Sequence, residues 1–256
     1  MSEESEPGRG WRSWLEGGLG FFYPAVCQVC GGERVSAGAG YVCARCCDRP
    51  DGVRRIREPY CERCGLPFTG QMQGPFRCAH CGELELHFGF ARAAVAATAL
   101  MLDVIHRYKY RREVWFEPFL ANLLVQAAAP ELACGGWDCL VPVPLFPVRE
   151  REREFNQAAR LAAWLGAATG LPVRQGVVGR RRPTHTQTQL SREQRGENMR
   201  GAFAPTGTRR LKGERVVLVD DVLTTGATTS ACARALRAAG AGEVCVWTVA
   251  RGTWQT

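Results

Sequence analysis

The chain has 256 residues, 46% hydrophobic and 23% charged. This globular balance excludes a disordered, collagen-like or low-complexity protein and leaves room for one large domain or two modest ones. No apolar run reaches the roughly 18 residues of a membrane span, and the acidic start MSEESEPGRG lacks a signal-peptide pattern. The expectation is a cytoplasmic protein with no integral membrane segment, at most peripheral at the inner membrane face. A net charge of +8 suits acidic partners, phosphate compounds or nucleic acid, without separating the two. Among the 33 basic residues only Lys109 and Lys212 are lysines, a skew that GC-rich coding explains more simply than RNA binding.

In chain order, residues 1–23 are an N-terminal segment whose aromatic part (WRSWLEGGLGFFY) is expected to pack as a short helix or cover. Residues 24–87 are rich in Cys, Gly, Pro and Arg and poor in apolar runs. Such a stretch buries too little apolar area to fold without a metal, so a small zinc-ribbon domain is expected. Residues 88–256 change to α/β character. GFARAAVAAT (89–98) reads as a strand. LMLDVIHRYKY (100–110) and VWFEPFLANLLVQAA (114–128) read as helices, with Pro118 near the first turn of the second. WDCLVPVPL (137–145) reads as a buried strand, EFNQAARLAAWLGAATG (154–170) as a helix closing at Gly170, and VRQGVV (173–178) as a further strand. The stretch 179–201 is polar and aperiodic. ERVVLVDDV (214–222) is the clearest strand, GATTSACARALRAAG (226–240) its helix, and EVCVWTVARG (243–252) the closing strand. Alternating strands and helices predict a parallel sheet with helices on both faces, whose ligands bind beyond the carboxyl ends of the strands.

Eight of the 13 cysteines fall in Cys-x-x-Cys pairs: Cys27 and Cys30, Cys43 and Cys46, Cys61 and Cys64, Cys78 and Cys81. In a reducing compartment this spacing reads as metal ligation, and four thiolates close a tetrahedral zinc site completely, which makes the expected two zinc ions structural. Sequential ribbons are the simplest pairing, and a crossed arrangement stays open. Cys47 reads as a spare neighbour, and His80 and His87 as surface residues.

The run VVLVDDVLTTGATT (216–229) carries the chemistry. Asp220 and Asp221 are read as ending a strand, and Thr224, Thr225, Gly226, Ala227 and Thr228 lead into a helix. A phosphate needs backbone N–H groups, hydroxyls, small side chains and a positive helix end. Paired carboxylates suit a vicinal diol and Mg²⁺. Together they outline a site for a ribose 5-phosphate. There is no G-x-x-x-x-G-K-[ST], dinucleotide fingerprint or H-E-x-x-H.

Residues 216–229 resemble the phosphoribosyl pyrophosphate (PRPP) motif of type I phosphoribosyltransferases. With the cysteine pairs, Tyr108-Lys109-Tyr110-Arg111, VPVPL (141–145), RExxFNQA (151–158) and QLSRxxRxxNMRGAF (189–203), the order resembles the ComF family. That family joins a double zinc ribbon to a phosphoribosyltransferase-type domain and is linked to DNA uptake in natural transformation. The resemblance implies a type I phosphoribosyltransferase-like α/β fold and PRPP binding with Mg²⁺ by Asp220, Asp221, Val222, Leu223, Thr224, Thr225, Gly226, Ala227 and Thr228. It also implies a pyrophosphate loop at Lys109, Tyr110 and Arg111, catalytic roles for Asp220, Asp221 and Lys109, and a flexible loop with Arg192, Arg195, Asn198 and Arg200. Family members often have glycine after Arg111, where this chain has Arg112. Arg180, Arg181 and Arg182 read as a solvated loop.

The implied reaction is pentosyl transfer to an unidentified acceptor, with Mg²⁺, basic groups on the leaving pyrophosphate, carboxylates near the ribose and exclusion of water. The alternative is a non-catalytic uptake factor that binds single-stranded DNA or DNA-uptake machinery proteins and retains a nucleotide pocket. A purely structural zinc protein leaves 216–229 unexplained.

Overall fold

The computed structural model describes residues 25–68, 70, 74–83, 85–182, 201–207 and 210–252. The N-terminal segment 1–23 therefore lies outside the described residues, as do Arg192, Arg195, Asn198 and Arg200. Among the described residues no helix is long and apolar enough to cross a membrane.

Four parallel strands form the central sheet: β1 (Ala91–Ala96), β2 (Cys139–Pro142), β5 (Arg215–Leu223) and β6 (Glu243–Arg251), in the order β1-β6-β5-β2. The middle strands β5 and β6 are buried on both faces, which is why their sequences are continuous runs rich in valine instead of alternating ones. Their register is Val216↔Val244 through Leu223↔Arg251. The acid pair is thus inside β5, not at its end as the sequence suggested: pairing with β6 carries the strand to Leu223.

Helix α1 (Ala99–Tyr110) starts at Thr98, whose Oγ1 accepts from the Met101 amide. It is followed by α2 (Glu117–Cys134), α3 (Pro147–Arg153), α4 (Gln157–Thr169) and α5 (Ala227–Ala238). Asn156 caps α4 by accepting from the Ala158 and Ala159 amides, and Gly170 ends it in the left-handed conformation, φ 74°. Helices α1, α2 and α4 share a core with Val217, Val219, Cys245 and Trp247. Helix α5 packs on the opposite face, with Leu218, Val244 and Val246. Two short antiparallel strands, β3 (Val178–Arg180) and β4 (Phe203–Pro205), form a separate ribbon. Arg180 is therefore a half-buried strand residue stacked over Phe203, not part of a solvated loop as expected.

The cysteine-rich region does not stand apart from the sheet. Cys27, Val42, Cys43 and Cys46 lie in the same core as Leu120 and Val95. Between the two cysteine groups the chain runs along β1, where the Ile56 amide donates to Ala94 and the Ala96 amide to Arg54.

Candidate functional site

The cysteines gather in sequential order, Cys27, Cys30, Cys43 and Cys46 in one group and Cys61, Cys64, Cys78 and Cys81 in the other. Sulfur–sulfur distances are 3.8 Å for Cys27–Cys46 and Cys30–Cys43, and 3.8 and 3.6 Å for Cys61–Cys81 and Cys64–Cys78. They are far beyond a disulfide and match the edge, about 3.8 Å, of a tetrahedron with Zn–S bonds near 2.3 Å. The amides of Cys43, Cys46 and Cys78 donate to the sulfurs of Cys27, Cys43 and Cys61, the polarity a thiolate requires. The donor sets fit zinc. Cys47 lies outside both groups. It lines a cavity of about 620 Å³ with Arg55, Arg57, Phe119, Asn122 and Gln126, between the first group and α2.

Asp220 and Asp221 are 8% and 2% exposed. Successive residues of a strand project to opposite faces, yet Lys109 bears on both acids. Asp221 Oδ1 accepts from the Val222 amide (2.8 Å), and Oδ2 pairs with Lys109 Nζ of α1. Asp220 Oδ1 accepts from the Asp221 amide (2.9 Å). Burial pushes the Asp220 carboxyl up to about 6, against the pull of Lys109, Arg180 and Arg153. Burial also draws the Lys109 ammonium down to about 8, with Asp220 opposing the shift and Arg153 adding to it.

Three residues beyond the acids the loop begins. Thr224 is exposed, Thr225 and Gly226 are buried, and Ala227 and Thr228 are half-buried. Thr225 Oγ1 accepts from the Ala227 amide, and Gly226 sits at φ 80°, a conformation in which glycine carries no Cβ penalty. The loop is partly roofed by the cysteine-rich region. His80 Nε2 lies 3.1 Å from the Thr225 carbonyl oxygen, and Ser230 Oγ accepts from the His87 amide and donates to the Glu85 carbonyl. His80 and His87 are half-buried packing residues, and neither belongs to a cysteine group.

Lys109 and Tyr110, expected in a pyrophosphate loop, occupy the last turn of α1, and Arg111 is its C-cap. The next residue, Arg112, has φ 57°, where a non-glycine residue costs roughly 1–2 kcal/mol. Its guanidinium binds Glu154 and the Glu152 carbonyl, which holds the turn that a glycine would make freely. Lys109, Tyr110 and Arg112 line a cavity of about 370 Å³ with Arg149, Glu152 and Arg153 of α3. Arg153, 8% exposed, lies over the Tyr110 ring and donates to Gln157.

The sequence reading did not single out Arg149, Arg153 or Arg251. Arg251, at the end of β6, is 1% exposed and bonds both Cys64 and the carbonyls of Leu223 and Thr224. RExxFNQA could have flagged Arg153, since it carries Asn156 and Gln157, which fix α3 against α4.

Residues 158–253 match the phosphoribosyl transferase domain family. Competence protein F of Haemophilus influenzae is 30% identical over 200 residues, covering 75% of this chain and 85% of that protein. DNA utilization protein YhgH of Salmonella typhi is 31% identical over 237 residues, covering 89% of this chain and 97% of that protein. Competence protein ComFC of Bacillus subtilis is 32% identical over 113 residues, 44% of each chain.

Proposed function

The chain belongs to the ComF family, and on that premise we propose that it binds PRPP at the carboxyl end of β5 and transfers the phosphoribosyl group to an acceptor, in the service of DNA uptake or utilization. One observation carries this reading. Asp221 of the buried acid pair, in the strand that runs on into the threonine–glycine loop opening α5, pairs with Lys109, and Lys109 also lines a cavity with Arg112, Arg149 and Arg153.

In this reading the amides and hydroxyls of Thr224–Thr228 hold the 5-phosphate at the positive end of α5. Asp220 and Asp221 accept hydrogen bonds from the ribose hydroxyls. Their hard oxygen donors suit the Mg²⁺ that accompanies a diphosphate, which when bound would neutralise charge on the leaving group. Lys109, Arg149 and Arg153 face the pyrophosphate. As the C1–O bond breaks, its electron pair leaves with pyrophosphate, and preorganised cations stabilise the charge that develops there. No covalent nucleophile is needed. Arg192, Arg195, Asn198 and Arg200 are proposed to close over the bound substrate and exclude water.

Calorimetry with PRPP and Mg²⁺ tests the proposal. Wild type should bind, and the Asp220→Asn, Asp221→Asn double variant should not. Wild type that gives no saturable binding heat with PRPP refutes it. A second reading, a non-catalytic factor binding single-stranded DNA, is favoured by the separate cavity that carries Arg55 and Arg57. Salt-dependent DNA binding without pyrophosphate release from any acceptor would select it.

A further inference from the structure

The guanidinium of Arg251 joins two places that the sequence keeps far apart. Its Nε donates to the Cys64 carbonyl (3.0 Å) and Nη2 to the Cys64 sulfur (3.4 Å). Its Nη1 donates to the carbonyls of Leu223 (3.1 Å), Thr224 (2.7 Å) and Gly252 (2.5 Å). A guanidinium removed from water needs its donors satisfied and a negative partner. Among the described residues no carboxylate pairs with Arg251. It meets the sulfur of Cys64, which with metal bound would be a thiolate, and four thiolates around one divalent ion remain net negative.

A second contact reaches the same loop from the same region. His80, between the ligands Cys78 and Cys81, meets the Thr225 carbonyl, and Gly226 lies beneath Leu86 and Phe88, which would be 3.6 and 3.7 Å from a Cβ there. The first cysteine group faces elsewhere. Its Gln28 carbonyl accepts from Arg107 of α1, and Gly40 abuts the backbone of Phe119 in α2.

We infer that metal in the second cysteine group sets the shape of the 224–228 loop, with Arg251 as the positioning residue that transmits it, and that metal in the first group does not. The functional meaning rests on the phosphate-binding reading above; the coupling itself does not.

Hydrogen exchange of the full-length, zinc-loaded protein tests it through peptides covering 224–228, with peptides from β5 and β6 as internal reference. Cys78→Ser, which removes a ligand of the second group, and Arg251→Lys, which keeps all eight ligands, should each speed loop exchange about tenfold, the size of an ordinary coupling between two sites. Cys30→Ser should leave the loop within about twofold of wild type. Metal analysis should find one ion fewer in each cysteine variant and none lost in Arg251→Lys. The inference falls if both cysteine variants affect the loop equally, or if Arg251→Lys leaves it protected. It falls too if Arg251→Lys loosens β5 and β6 along with the loop. PRPP calorimetry on the same samples keeps the two ideas separate, because wild type that binds no PRPP ends the phosphoribosyl reading while the exchange rates still decide the coupling.

Discussion

Replacing Asp220 by Asn should make the empty protein more stable and unable to bind PRPP. The carboxyl is 8% exposed, and burial lifts it from an ordinary 3.8 to about 6. A folded-state value above the unfolded one means the folded state holds its proton longer, so wild-type stability falls as pH rises through that interval. The full difference corresponds to ~3 kcal/mol, with roughly half of it present at pH 5 and all of it above about pH 7. Asn is a neutral isostere that can still accept from the Asp221 amide through Oδ1, and it avoids the penalty. Urea denaturation of both proteins at pH 5 and pH 7.5, zinc-loaded, reads the effect. The stability gain of Asp220→Asn should roughly double between the two pH values. Equal stability at both, or a gain that shrinks as pH rises, would refute the argument that a desolvated charge is held at this position.

Two further outcomes follow from the geometry. Metal analysis of purified wild type should find two zinc ions per chain, one for each cysteine group, and a content well below one would end the zinc assignment. Glu117 is 7% exposed and accepts from Tyr108 Oη and Trp164 Nε1 (both 2.9 Å) while pairing with Arg160. Glu117→Ala should cost about 3 kcal/mol by stranding these partners, read as a lower urea midpoint, and an unchanged midpoint would show that water replaces the carboxylate.

The sheet was legible where burial writes directly into composition. β5 and β6 are covered on both faces, so each is a nearly unbroken apolar run, and Gly226 marks the turn between β5 and α5. The two groups of four cysteines could be read because Cys-x-x-Cys is a common spacing for tetrahedral ligation. Helix α3 was missed because VREREREF alternates arginine and glutamate and shows no apolar stripe; its helicity comes from Pro147 at the first turn and from packing beside Tyr110. The half-buried Arg180 and the buried Arg153 and Arg251 were hidden for a related reason. In a chain with this many arginines nothing local separates a solvated guanidinium from one that faces an acid or a thiolate, and only the fold brings Arg251 to Cys64, 187 positions away. Lys109 stood out as a rare lysine, but its partner Asp221 is 112 positions away and is reached only through the fold.

The segment around Arg55 pairs antiparallel with Val95, on the side of β1 away from β6. It thereby occupies a row of amides and carbonyls that would otherwise be an open sheet edge, the kind of surface on which chains stick to one another. A chain shortened to begin at residue 88 would lose that cover together with Val42 and Cys46 of the shared core. The larger half cannot be expected to survive as a well-behaved fragment.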